Sequence, residues 1–279
     1  MKILASIFIL ILFFSACKKH DSGGGTTTPT ITMLAGFTLS DATNHTFQTD
    51  TFLYDNNYHL VMYQAIKYDS TQVPVIVDSL IGRFLFTGND QHPVNYTFFF
   101  NDNGFIREDH QLFYDPQNRV VMDTLLDNSQ FNNPAVTYFI YAGDSIIAKS
   151  YYLDSASGKF RLNETNSYSL KAGNVTGWKF SSYNYNNVTP VSSTVFNFTS
   201  SGFDNPFYSE NLPNTVGPLL SIKLGADFVS RNIFNKYEMT DSTGGISQSF
   251  TFDWITDDKG RVIKGTSSDK QINMTFSYQ

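Results

Sequence analysis

A single cysteine, Cys17, stands in a chain of 279 residues, so no intramolecular disulfide forms and no zinc site built on several thiolates is possible. Charge is scarce as well: Asp, Glu, Lys and Arg supply 16% of the residues against a usual quarter, and the only glutamates are Glu108, Glu164, Glu210 and Glu238. Nineteen Lys and Arg against 25 Asp and Glu leave a net charge of −6, which removes the counterion-release drive for nucleic-acid binding. Nucleic acid is therefore no partner. Helical periodicity is almost missing, and no Gly/Pro/Ser-rich linker interrupts residues 31–279, so a second domain has no compositional support. What the chain has in quantity is aromatic side chains, 26 Phe, 16 Tyr and 2 Trp, within a hydrophobic content of 41%. Such a chain buries a core.

The one long apolar run, Ile3 to Phe14 with Ser6 inside it, follows Met1 and Lys2 and leads through the small residues Ser15 and Ala16 into Cys17. Twelve helical residues cover about 18 Å, short of the roughly 30 Å hydrocarbon core, so the run reads as a secretory signal and not as a permanent span. Residues 18–30, Lys18-Lys19-His20-Asp21-Ser22 followed by glycines, threonines and Pro29, have no apolar periodicity and cannot bury a core. Treated as a flexible coil, this segment spaces the body by roughly 20 Å.

Phe14-Ser15-Ala16-Cys17 resembles the lipobox of bacterial lipoproteins, in which the cysteine sulfur is diacylglycerated, the signal is cut before it and the new amino terminus is acylated. That resemblance implies residues 1–16 as signal peptide, Cys17 as the lipid attachment site, 17–30 as a lipid-anchored tether and 31–279 as one domain. It places the protein at the bacterial cell envelope, on the outer membrane with the face unassigned. Two or more acyl chains, at about 0.8 kcal/mol per buried methylene, anchor a protein where one chain is marginal. The family prefers Leu where Phe14 stands.

In the body the dominant period is two. Ile272, Met274, Phe276 and Tyr278 alternate with polar residues, and Thr194 to Thr199 and Gln248 to Trp254 do the same. Turn chemistry separates these runs: Asn101-Asp102-Asn103-Gly104, Asp115-Pro116-Gln117-Asn118, Ala142-Gly143-Asp144 and Asp257-Asp258-Lys259-Gly260. At about 12 to 14 residues per strand and turn the body holds roughly 18 strands, too many for a flat sheet. The fold class is all-β, a long antiparallel meander forming a curved sheet or a barrel-like body. One short helix is expected over residues 218–232, with Gly225 weakening it.

Several units share an aromatic strand, an Asp-led turn and a basic or apolar return, as in Phe113-Tyr114-Asp115-Pro116-Gln117-Asn118-Arg119-Val120, in 52–60, in Tyr152 to Lys159 and in Trp254 to Val262. These resemble the Tyr-Asp hairpin repeat of bacterial surface proteins. Asp204-Asn205-Pro206-Phe207-Tyr208, followed by 219–232 and the hairpin from Gln248 to Lys264, is similar to Bacteroidota lipoproteins of the DUF4595 type. Both resemblances imply a β-meander and no particular activity.

No catalytic, cofactor-binding or metal-binding residue emerges, and no cofactor is implied. Gly143-Asp144-Ser145-Ile146 looks like the nucleophile block of Gly-Asp-Ser-Leu hydrolases, but all five histidines precede Ser145, so the late partner histidine is missing and a hairpin turn explains the string. His59, His92 and His110, the last beside Glu108 and Asp109, lack metal spacing and read as exposed strand-end residues. Asp257, Asp258 and 101–103 lack the closing Glu of a calcium loop. Trp178, Tyr183, Tyr185 and Trp254 are candidates for stacking on sugars, though core or cross-strand packing is the more ordinary account of the same residues. The leading expectation is a non-catalytic binding or scaffold module tethered to the membrane through Cys17. A carrier of an apolar ligand in a half-open barrel, and a lipid-tethered glycan-binding protein or hydrolase, are the alternatives. A membrane-embedded barrel requires a continuous apolar band on its outer wall.

Overall fold

The computed structural model describes residues 33–68, 76–87, 92–101, 105–128, 134–184, 189–205, 208, 229–240, 246–269 and 271–279. They form a closed barrel of sixteen antiparallel strands in simple meander order. Its strands are β1 (Leu34–Ser40), β2 (Thr46–Tyr54), β3 (Leu60–Tyr68), β4 (Ile76–Phe86), β5 (Pro93–Asn101), β6 (Phe105–Tyr114), β7 (Val120–Asn128) and β8 (Ala135–Tyr141). The second half comprises β9 (Ser145–Asp154), β10 (Lys159–Lys171), β11 (Asn174–Ser182), β12 (Ser192–Asp204), β13 (Asn232–Thr240), β14 (Ile246–Thr256), β15 (Val262–Ser267) and β16 (Asn273–Tyr278). Sixteen strands replace the expected eighteen because several run long, β10 and β12 to 13 residues each. The choice between curved sheet and barrel falls to the barrel: β16 pairs with β1 through Phe276–Phe37 and Met274–Leu39, and no sheet edge is left unpaired. Of the helix expected over 218–232, residues 218–228 lie outside the described residues, and Asn232 opens a strand.

The period-two pattern sorts side chains onto two walls. On the inner wall, one row of paired residues runs Phe276, Phe37, Asp50, Ala65, Leu80, Phe100 and Ile106 across seven neighbouring strands. Phe52, Phe98, Tyr96, Tyr168, Phe234 and Leu39 are buried there to 2% exposure or less. Each such apolar side chain contributes about 1.5–3 kcal/mol, and one continuous cluster draws on every strand. Barrels of this strand number in porins enclose a water channel, whereas the inner wall here is filled with side chains at these positions.

Odd strands run away from the rim where the chain enters, and even strands return to it; Met33 and Gln279 close that rim with paired backbone hydrogen bonds of 3.0 and 2.9 Å. At this terminal rim the Asp-led turns share one construction. In the turn 115–119, Asp115 Oδ1 accepts from the backbone N–H of Gln117 and Arg119, both at 2.9 Å, while Asn118 sits at φ 60°. Turn 55–59 repeats it with Tyr58 at φ 65°, and turn 257–261 with Gly260 at φ 77°. The basic residue closing each turn then clasps an aromatic ring that ends another returning strand. Arg119 lies over Tyr141 at 4.5 Å, Arg261 over Tyr278 at 4.7 Å, and His59 stacks on Phe86 at 4.6 Å. The Tyr141 and Tyr278 hydroxyls donate to the carbonyls of Val120 and Val262 at 2.9 and 2.6 Å. A fourth clasp, His92 against Tyr114, has its phenol on Pro93 O at 2.6 Å. Beneath these clasps Leu60, Val120 and Val262 are 7%, 0% and 1% exposed, so each of the three lies covered at the described part of this rim.

Candidate functional site: polar groups on the inner wall

Against this apolar interior stands a small set of buried polar residues. On β6 and β7, His110 and Asp123 are each 6% exposed, with His110 Nδ1 3.0 Å from Asp123 Oδ1 and its Nε2 3.4 Å from Glu108 Oε2. The Tyr96 hydroxyl on β5 donates to Asp123 Oδ2 at 2.6 Å, and its ring stacks on the imidazole at 4.3 Å. Glu108 and His110 share the inner wall because they are two apart on one strand, and Asp109 between them faces out and pairs with Arg107 at 2.6 Å. Burial is the largest influence on the Tyr96 phenol and pushes its ionisation well above the ordinary value, with Asp123 adding to it, so the hydroxyl is a fixed donor.

A second group lies on β2 to β4. Asp50, 4% exposed, accepts from Gln48 Nε2 at 2.7 Å and from the Tyr63 hydroxyl in a short hydrogen bond. Burial dominates its chemistry and pushes the carboxyl up to about 7 despite both donors and the positive charge of Lys67. Lys67 itself pairs with Asp78 at 2.8 Å. Between β7 and β10 one register row brings Asp123, Thr137, Ser150 and Glu164 side by side, with Thr137 Oγ1 2.9 Å from Ser150 Oγ. Asn166, one inward step along β10, accepts from Trp178 Nε1 at 2.9 Å.

This arrangement fixes a set of polar side chains in place on the inner wall. Both imidazole nitrogens of His110 face carboxylates, Nδ1 that of Asp123 and Nε2 that of Glu108. Among the described residues no group of three or more His, Cys, Asp or Glu is placed to hold a metal. Ser145 sits where a turn residue belongs: its hydroxyl donates to Ala142 O at 2.7 Å and Gly143 takes φ 56°.

Of the residues singled out in the sequence, Cys17 and Tyr185 lie outside the described residues. The reading of His110 as an exposed strand-end residue is corrected: it lies within β6 at the centre of a buried network. His59 is held by Asp55 at 3.0 Å and His92 by the Tyr114 ring. Trp178 is only 8% exposed on the inner wall, Trp254 donates its Nε1–H to Phe234 O at 3.0 Å, and Tyr183 is half-buried, so these rings form no exposed sugar platform. Of the Asn205–Tyr208 segment, Asn205 is fully buried and its Nδ2 donates to Ser230 O, while residues 206 and 207 lie outside the described residues. Sequence reasoning missed Tyr96 and Asp123, whose partners sit on separate strands, and Asp50, which joins Gln48 on its own strand to Tyr63 on the next. The local signals were the i, i+2 pairs Glu108 with His110 and Gln48 with Asp50.

Among solved structures the chain is similar to a porin-like protein from Bacteroides vulgatus ATCC 8482, with a TM-score of 0.53 and 12% identity over 89% of this chain and 99% of that one. A porin-like protein from Bacteroides uniformis ATCC 8492 matches at 11% identity and a TM-score of 0.45, covering 88% of this chain and 98% of that one. The fold is that of a porin-like barrel. No family model and no curated protein matches the chain.

Proposed function

We propose that this protein is a non-catalytic binding or scaffold module of the bacterial cell envelope, held to the membrane by lipid on Cys17, with its barrel standing in water beside the bilayer and not through it. The observation that carries the reading is the chemistry of the outer wall. One outer row runs Asp253, Thr266, Asn273, Ser40 and Thr46, polar at every position across five strands. Charged residues face outward within strands around the circumference: Arg83, Arg107, Lys149, Lys179, Lys236, Asp253 and Lys264. A cation at mid-bilayer on the lipid face of a barrel costs about 2–4 kcal/mol, so this wall is built for water. Outward apolar side chains cluster in places, as in the row Phe113, Met122 and Tyr138 and the pair Ile140 and Ile147, but Lys149 opposite Tyr138 interrupts that row before it becomes a band.

The lipid-anchor part of the proposal rests on the lipobox resemblance at Phe14 to Cys17, and the porin-like protein from Bacteroides vulgatus supports the barrel fold of the anchored body. Mass spectrometry of the native chain is expected to find a mature protein beginning at an acylated Cys17. Cys17→Ser is expected to move the barrel from the membrane to the soluble fraction. An intact leader with a bare thiol, or a Cys17→Ser chain that stays in the membrane and needs detergent for extraction, contradicts the reading.

A further inference from the structure

We infer that the outer face of the β8–β9 hairpin docks a second copy of this chain, about a twofold axis that crosses the hairpin at Ile140 and Ile147. The inference goes beyond the binding-module reading above and rests on its water-facing outer wall.

Alternation turns Phe139, Ile146, Ala148 and Ser150 inward, each of them buried, and leaves their neighbours on the outside. Along the hairpin these outward residues form cross-strand pairs: Val136 with Tyr151, Tyr138 with Lys149 and Ile140 with Ile147. Met122 and Phe113 extend the Tyr138 row onto β7 and β6. Tyr138, Ile140 and Phe113 are 45%, 43% and 38% exposed, and the Tyr138 and Tyr151 rings meet edge to face at 5.9 Å. Tyrosine, methionine and aliphatic side chains gathered on one stretch of wall are what a protein contact covers.

The occupant follows from charge. Arg107 and Lys236, also outward, are each matched on their own strand, by Asp109 at 2.6 Å and Glu238 at 2.7 Å. Among the described residues Lys149 has no ion-pair partner, and neither has Asp144, exposed in the turn that closes the hairpin. These two flank the isoleucine pair. Lys149 lies beyond Ile147 by about 7 Å of strand and Asp144 before it by about 10 Å, a difference that the long lysine stem takes up. A half-turn about an axis lying between two copies and across the hairpin therefore sets Ile140 on Ile140 and Ile147 on Ile147. The same rotation brings Lys149 of each copy against Asp144 of the other. One hairpin thus carries both halves of the contact, as an isologous interface requires. With a net charge of −6 two copies repel at a distance, so their docking depends on opposite charges meeting at close range. Two convex walls touch over a small area, below about 1,200 Å², so the dimer is a weak one that tethering to a shared membrane concentrates.

The test is cross-linking of the full chain in its native membrane with a bismaleimide whose reach is about 10 Å, the spacing of packed sheets. The parent chain, with Cys17 acylated, is expected to give no cross-linked dimer. Ile140→Cys and Ile147→Cys, both on the axis, are expected to give one at about five times or more the yield of Thr251→Cys, an exposed outward position on β14. In the Ile140→Cys background, Lys149→Asp and Asp144→Lys are each expected to cut the yield about fivefold, and the two together to restore it. Asp144 lies outside the left-handed region, so its turn accepts a lysine. Yields at both axial positions no higher than at Thr251, single charge reversals without effect, or a double reversal that fails to restore the yield overturns the inference. Dimers of the parent chain joined through a bare Cys17 thiol would contradict the lipid anchor instead, so the two failures are told apart.

Discussion

The Trp254 ring of β14 lies flat over Gly265 of β15, where a Cβ would collide with its Cζ3 and Cε3. The indole covers backbone that the glycine leaves bare and reaches across β15 to Phe276 at 6.4 Å, so one ring joins three strands. Gly82 and Phe98 repeat the device between β4 and β5, where the phenyl edge occupies the space that a Cβ on Gly82 would need. Gly265→Ala and Gly82→Ala are each expected to cost about 1–3 kcal/mol by forcing a buried ring off its rotamer. Gly202→Ala, with open space around it, is expected to be nearly neutral. Urea unfolding of the three variants checks the order, and equal stabilities would mean that the rings have room to move.

Tyr96, Asp123 and His110 form a unit whose parts depend on one another. Asp123→Ala removes the acceptor of both the phenol and the imidazole and is expected to cost about 3 kcal/mol or more, because two polar groups are left buried beside Phe98. Tyr96→Phe removes one hydrogen bond and keeps the stacked ring, for about 1–2 kcal/mol. In a double-mutant cycle the two costs are expected to be well short of additive. Simple addition would show that the hydroxyl and the carboxylate act separately.

The strands and Asp-led turns were legible because they are local. Alternation at 271–279 and the Asp-x-x-Asn/Gly-Arg spacing of 115–119 and 257–261 are complete within a few residues. Barrel closure was not, since the pairing of β1 with β16 joins residues such as Gly36 and Ser277 that lie 241 positions apart. Which wall faces out was not legible either. A strand with one apolar face reads the same whichever way that face turns, and only closure together with the burial of Phe98 and the outward turn of Arg83 assigns the apolar face to the inner wall. The His110 network was hidden because its second carboxylate, Asp123, sits beyond a turn on the next strand.

The turn carboxylates make acid stability a test of the clasps. Slight burial works against ionisation of Asp115, but the backbone N–H and guanidinium of Arg119 and the N–H of Gln117 outweigh it and hold the carboxyl below its ordinary 3.8. Asp257 is lowered in the same way against slight burial, chiefly by Arg261. A lowered folded value means stabilisation that is complete above 3.8 and is lost as pH falls through the folded value. Asp115→Asn is therefore expected to lower Tm at pH 6 and to narrow its gap from the parent at pH 2. Arg119→Ala, which removes a partly exposed ion pair and the contact with Tyr141, is expected to cost about 1 kcal/mol. A gap between Asp115→Asn and parent that stays constant with pH would rule out ionisation as the source.

Asp50 titrates with the opposite sign. Its carboxyl, raised from 3.8 to about 7 chiefly by burial, holds a proton in the folded chain through a pH range in which the unfolded chain has lost it. Folding then takes up a proton, so this residue's cost to stability is absent below 3.8, grows between 3.8 and about 7 and is constant above. Asp50→Asn removes the titration and keeps an oxygen for the Tyr63 hydroxyl, while a turned Gln48 amide offers its oxygen to the new N–H. The variant is expected to gain about 2–4 kcal/mol on the parent between pH 4 and pH 8, read as diverging Tm values. Parallel Tm curves across that range would show that the carboxyl stays ionised inside the barrel, with Lys67 and the two donors outweighing its burial.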